Sequence, residues 1–257
     1  MTQNFIDTHA HLYMAQYDDD RTEMLARAAA EGVHKIYLPA IDTRSHARML
    51  ALEQQHPAQC IAMMGLHPCS VKADYETELK AIFDYWAQRD FVAVGEIGLD
   101  LYWDKTFFAQ QQDAFLRQMQ LAKSRKRPIV IHARESMNEI MPMVAAEKTD
   151  DLTGIFHCYS GTLAQAHECV EMGFYLGIGG ALTYKKSGLD EIIQHIALEN
   201  LVLETDAPFL TPTPHRGKRN ESSYIPIIAR KLAEVKGVSI EEVAEITTEN
   251  ARKVFKS

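Results

Sequence analysis

Several features that would mark a membrane, exported or nucleic-acid-coating protein are missing from this chain. No run of about 18 apolar residues occurs, so neither a membrane-spanning helix nor a membrane partner is expected. The N-terminus has no basic stretch leading into an apolar one. It enters the strand-like FIDTHAHL (residues 5–12) almost at once, which argues against export. Cysteines are few: Cys60, Cys69, Cys158 and Cys169 contain no C-x-x-C pair, which suits a reduced, cytoplasmic protein with free thiols. An excess of positive charge is also absent. With 27 Lys and Arg against 35 Asp and Glu, the formal charge is −8, which weakens any reading as a protein that coats nucleic acid through its overall field. An enzyme that handles a phosphate ester locally is still allowed, because bound cations and one basic loop can supply the attraction. Linkers, low-complexity stretches and short repeats are lacking too, so residues 1–257 read as one domain with no obligate protein partner.

What the chain does contain is a regular alternation. Apolar runs suited to buried strands fall at 5–9, 35–41, 60–66, 91–97, 128–132, 153–157, 174–178 and 201–206. Most are continuous rather than alternating, as in parallel sheets covered on both faces. Segments with helical spacing lie between them. Asp20 with Glu23 and Thr162 with Gln165 read as capping boxes, Ser239 with Glu242 starts a late helix, and Gly32 and Gly173 fall where helices would stop. The stretch 107–126 is a long helix, and 222–236 adds one before the last. Eight strands, each followed by a helical segment, in roughly 250 residues is the rhythm of a (β/α)₈ TIM barrel. A doubly wound open sheet shares that grammar, so the positions of the polar residues carry the choice.

Those positions are informative. His9 and His11 close the first run, Glu96 the fourth, His132 the fifth, His157 the sixth and Asp206 the eighth. In a barrel, strand C-termini share one mouth. Residues i and i+2 of a strand point the same way, so His9 and His11 can grip one ion together. Such nitrogen and oxygen donors with a shared carboxylate suit two divalent cations about 3.5–4 Å apart. A single histidine at a strand end is more often a hydrogen-bonded core residue. Four histidines and two acids, each at a strand terminus, are hard to explain by packing, because unpaired buried charge is costly. His34, His46, His56, His167 and His195 fall in helical or linking segments and read as surface residues.

The ordered set FIDTHAHL, GLHP (65–68), VGEIGLD (94–100), IHAR (131–134), HCYSG (157–161), LETDAPFL (203–210) and HRGKRNE (215–221) resembles the TatD-related deoxyribonucleases, within the amidohydrolase-like metal-dependent hydrolases. The motifs run from residue 5 to 221, and each is modest alone but specific in this order. The resemblance implies a distorted (β/α)₈ barrel with extra C-terminal helices and a divalent-metal site that hydrolyses phosphodiester bonds in DNA. It implies that His9, His11 and Asp206 bind one metal, that His132 and His157 bind the second, and that Glu96 bridges them. Ile97 and Tyr159 depart from the commoner family residues without touching an implied ligand, whereas SSY after HRGKRNE, where the family often continues with Pro, bears on the shape of that loop.

Chemically, the two cations would activate a water and stabilise phosphoryl charge, with Glu96 and Asp206 as the catalytic carboxylates and Asp206 as general base. Glu204, two residues earlier, holds a ligand or water, or else partners a cation in the barrel floor. For substrate, Arg134 can clamp a phosphate oxygen, His67 can donate to one, and Arg216, Lys218 and Arg219 crowd a loop beside the mouth. Tyr159, Phe209 and Tyr102–Trp103 either stack an unpaired base or pack the rim. Recessed metals favour single-stranded DNA ends, in keeping with the family's 3′→5′ exonuclease activity. Imidazole and carboxylate accept Zn, Mn, Ni and, less comfortably, Mg, so the sequence does not choose the metal. The rival reading is an amidohydrolase-type enzyme for small amides, esters or lactones, which would need neither Arg134 nor the basic 215–219 loop.

Overall fold

A computed structural model describes residues 3–256. The strands are β1 (Phe5–Asp7), β2 (Val33–Leu38), β3 (Cys60–Ala62), β4 (Val94–Asp100), β5 (Ile129–Arg134), β6 (Gly154–Phe156), β7 (Phe174–Ile178) and β8 (Leu201–Leu203). Helices α1 (Arg21–Ala30), α2 (Thr43–Gln55), α3 (Tyr75–Gln88), α4 (Phe108–Arg125), α5 (Met137–Glu147), α6 (Leu163–Glu171) and α7 (Leu189–Ile193) alternate with them. Then α8 (Ile225–Lys236) and α9 (Ile240–Phe255) follow β8. All strand pairs are parallel, in the ladders β1-β2-β3 and β4-β5-β6-β7-β8. Isolated backbone bonds join the two ladders into the expected barrel. Met64 N–H donates to Ala93 and Gly95 N–H to Met64 between β3 and β4, while Thr8 N–H donates to Leu203 between β1 and β8. Four strands are only three residues long, which is the distortion.

A period of two along each strand separates the barrel's inside from its outside. Ile6, Tyr37, Met63, Ala93, Val130, Ile155 and Val202 form one apolar inner layer with Tyr175 against it, drawn from six strands and from the residues that adjoin β3 and β4. The chain's own end plugs this layer: Ala251, Val254 and Phe255 of α9 enter it, and the Phe255 ring stacks on Tyr37 with centroids 3.8 Å apart. Two residues further along the strands, Val130 leads to His132, Ile155 to His157 and Val202 to Glu204. The interior therefore turns from apolar floor to polar mouth. The opposite strand faces pack against the helices in the larger core.

Local signals mostly act as read. Thr162 and Gln165 form a reciprocal capping box on α6, and Ser239 Oγ accepts from Glu242 N–H at the start of α9. Gly32 and Gly173 follow their helices with positive φ. Asp20 is a correction: its carboxylate makes no cap on α1, because Arg219 and Arg27 occupy both oxygens at 2.6–2.9 Å. His46 is another. It is buried beneath Tyr85 on the inner face of α2, not on the surface. All four cysteines are free. Among the described residues, no helix is long and apolar enough to cross a membrane.

Candidate metal centre

Strand boundaries differ at the site from the sequence reading. β1 stops at Asp7, so His9 and His11 lie beyond the ladder. There Asp206 N–H donates to His9 O, and His11 N–H to Ala207 O, stitching the segments after β1 and β8 together. Asp7, fully buried, organises this junction: it accepts from Thr205 Oγ1 (2.6 Å), Ser222 Oγ (2.7 Å) and the N–H groups of Thr205 and His9. Burial pushes its pKa up to about 7 despite those hydrogen bonds. Ser222 belongs to the SSY departure, and its hydroxyl is one of these donors. Glu96 and His132 sit within β4 and β5, not at their ends, because the shared ladder continues to Asp100 and Arg134. The register shift between Val94 and Ile97 lies where Glu96 turns inward.

Glu96 is the centre of the cluster. Its Oε2 lies 3.1 Å from His9 Nε2 and 3.5 Å from His11 Nε2. Asp206 Oδ1 lies 3.5 Å from His11 Nε2 and 3.8 Å from His9 Nε2, completing that set. The other oxygen, Oε1, faces His132 Nδ1 at 2.8 Å, His67 Nε2 at 3.4 Å and His157 Nε2 at 3.6 Å. Two ligands bonded to one ion at about 2.1 Å stand roughly 3.0–3.5 Å apart in octahedral or tetrahedral geometry. The donor spacings here are of that size, and one carboxylate presents an oxygen to each set.

Outer partners orient three of the rings. Tyr13 O–H donates to Pro39 O and so accepts from His11 Nδ1, leaving Nε2 for the centre. Asp100 Oδ2 lies 2.9 Å from His132 Nε2, and Glu204 Oε1 lies 3.1 Å from His157 Nδ1. Glu204 fits only because residue 177 has no Cβ, which would come 2.4 Å from its Oε2. His67 differs. Its Nδ1 accepts from Cys69 N–H, so the neutral ring carries its proton on Nε2, toward Glu96.

Burial and charge oppose each other at this centre. Burial alone would raise Glu96, yet His67, His9 and His157 hold it well below the usual carboxylate range. Asp206 is likewise lowered against burial, chiefly by His11. Burial draws His9 down to about 4, with His157 adding to it. His157 rises to about 9 in spite of burial, because Glu204 and Glu96 face it. Among the described residues, Glu96 Oε2, His9 Nδ1, His157 Nδ1 and Glu204 Oε2 are buried without an aligned hydrogen-bond partner. Buried polar groups are rarely left so. Ionised carboxylates, crowded imidazoles and orphaned atoms together form a donor set that divalent cations fit. The strained backbone is here as well: Asp206 (φ 55°), Cys158 (φ 44°) and Glu135 (φ 51°) adopt left-handed conformations just past their strands.

The remaining sequence candidates occupy the rim. Arg134 is exposed, its guanidinium 4.1 Å from the Tyr102 ring. Arg216 lies 4.0 Å over Tyr184, and Lys218 is exposed. Arg219 is engaged elsewhere: it binds Asp20 through two nitrogens, donates to Gln16 O, and covers Tyr17. Tyr159 is buried with its hydroxyl on Thr162 O, so it is a packing residue. Sequence reasoning missed the roles of Asp100, Tyr13 and Asn220, whose Nδ2 donates to Thr205 O and Phe209 O and anchors the basic loop. Asp100 stands in the VGEIGLD motif four residues after Glu96, the one available signal.

Comparison with known proteins places these features in context. The family model described as TatD related DNase matches residues 6–256. The metal-dependent hydrolase YabD of Bacillus subtilis is 39% identical over 97% of this chain and 98% of its own length. A protein of Salmonella typhimurium named 3′-5′ ssDNA/RNA exonuclease TatD is 32% identical over 97% of this chain and 98% of its own. Among solved structures, the TatD homologue YjjV of Escherichia coli superposes with a TM-score of 0.94 at 32% identity, covering 100% of both chains.

Proposed function

The chain belongs to the TatD related DNase family of metal-dependent hydrolases, and we propose that it is a deoxyribonuclease that shortens single-stranded DNA from the 3′ end. The observation that carries this reading is Glu96, which turns one oxygen to His9 and His11 and the other to His132, His157 and His67. On this reading His9, His11 and Asp206 would hold one divalent ion and His132 and His157 a second, with Glu96 offering an oxygen to each set. Such ions would supply an activated water and charge neutralisation on the phosphoryl oxygens. The protein's own groups do the rest. Asp206, kept ionised by its imidazole neighbours and partly open to solvent, accepts the water's proton. His67 donates from Nε2–H to a phosphate oxygen, the role its Cys69 contact prepares. Tyr13, Asp100 and Glu204 hold their imidazoles in the tautomer that points a lone pair inward. Arg134, Arg216 and Lys218 attract the phosphates of the incoming strand, while Arg219 braces the loop through Asp20.

The test is end-labelled single-stranded DNA offered with Mg²⁺ or Mn²⁺, before and after chelation, beside single-stranded RNA and a small lactone. Metal-dependent shortening from the 3′ end is expected. Asp206→Asn preserves a residue type that tolerates left-handed backbone, so its loss of activity reads as lost carboxylate chemistry. Glu96→Ala and Asp206→Asn should each reduce kcat at least about 100-fold, on the scale of general-base catalysis. DNA left intact, or variants as active as the parent, would falsify the nuclease reading.

A further inference from the structure

Two exposed aromatic groups stand on opposite sides of the barrel mouth, since strands four and eight of an eight-stranded ring face each other. After β4, Tyr102 and Trp103 are 49% and 67% exposed, and after β8, Phe209 is 47% exposed. Both groups are fixed to the metal centre. Asp100, whose Oδ2 meets His132, uses Oδ1 to accept the N–H groups of both Tyr102 and Trp103 at 3.0 Å. Phe209 N–H donates to Asp206 O, its carbonyl accepts from Asn220, and its ring lies 6.2 Å from that of His11. The Arg134 guanidinium sits 4.1 Å from the Tyr102 ring and 5.3 Å from the Trp103 ring, placing a cation beside the first group.

Exposed tryptophan costs solvation and is not explained by packing. Here its backbone N–H is tied to a carboxylate shared with the centre, and its ring meets Tyr102 edge-on with centroids 4.8 Å apart. Aromatic faces alternating with guanidinium groups are what single-stranded nucleic acid binds, bases on the rings and phosphates on the cations. We propose that Trp103 with Tyr102 and Arg134 on one side, and Phe209 on the other, are two stacking posts that grip the unpaired bases flanking the bond to be cut. Inside a duplex both faces of a base are covered by its stacked neighbours, so the posts select unstacked single strands. The inference rests on the nuclease reading and names how that site recognises its substrate.

Tryptophan fluorescence tests it without catalysis. The only other tryptophan, Trp86, is buried. With chelator present, oligothymidylate should quench the protein's emission, whereas an oligomer of the same length built from base-free tetrahydrofuran residues should not. The quenching should vanish in Trp103→Phe. In the metal-loaded enzyme, Trp103→Ala and Phe209→Ala should each raise KM for single-stranded DNA about 5- to 100-fold, more than they change kcat, and Trp103→Phe should recover most of the loss. Equal quenching by both oligomers, or an unmoved KM, overturns the stacking posts. Failure of the metal-loaded parent enzyme to shorten oligothymidylate overturns the nuclease reading itself, and the two failures are thereby told apart.

Discussion

His46 shows how one residue can set an acid limit on stability. Both ring nitrogens are buried without a hydrogen-bond partner among the described residues, and the ring meets Tyr85 edge-on at 5.2 Å. Burial holds its pKa below the ordinary histidine value, against the pull of Glu78 and Asp42. The unfolded chain, titrating near pH 6.5, therefore binds the proton first as pH falls, and stability drops from about pH 6.5 downward. His46→Leu should flatten that acid-side loss and add about 1 kcal/mol at neutral pH, by removing unsatisfied polar atoms. Urea unfolding of parent and variant between neutral and mildly acid pH measures both effects; parallel curves would exclude this account. The residue is also instructive about legibility. His46, Met49 and Leu52 recur at three-residue steps and line the buried face of α2, so the spacing was present in the sequence, overshadowed by a polar residue type.

Elements position the site through contacts that no element specifies alone. β7 passes beside β8 with a glycine at 177, leaving space for the Glu204 carboxylate, which in turn accepts the Cys158 N–H and faces His157. Gly177→Ala would place a methyl group 2.4 Å from Glu204 Oε2. Glu204 must then move, and His157 loses the group that orients it. Metal affinity is expected to fall about 10- to 100-fold, the usual effect of losing such a support. Isothermal titration with Mn²⁺ reads it, alongside circular dichroism to confirm an intact barrel. Parent-like affinity would mean that Glu204 does not position His157. The FYLGI run offered only a strand signal, because the reason for its glycine lies on the neighbouring strand. Asp20 makes the same point from the other side: its local pattern with Glu23 reads as a cap, and Arg219, 199 residues away, together with Arg27 two turns along the same helix, overrules it.

At the scale of the whole molecule, the C-terminal helix closes the barrel floor opposite the mouth. Phe255 is fully buried in the inner layer against Tyr37. Phe255→Ala should destabilise the protein by about 3–5 kcal/mol through lost burial and the cavity left behind. The urea midpoint should fall clearly, and a midpoint within error of the parent would show that the floor is not sealed by α9. The division between chain and fold is now concrete. Alternating strands and helices, the caps at Thr162 and Ser239, and the imidazoles and acids near strand ends were readable because each depends on neighbours a few positions apart. Tertiary structure alone decided which oxygen of Glu96 faces which imidazole, that Arg219 answers Asp20, that Asp100 joins His132 to the aromatic rim, and that the last helix fills the floor. Those are contacts between segments tens to hundreds of residues apart, and they take shape only when barrel closure brings the strands into one ring.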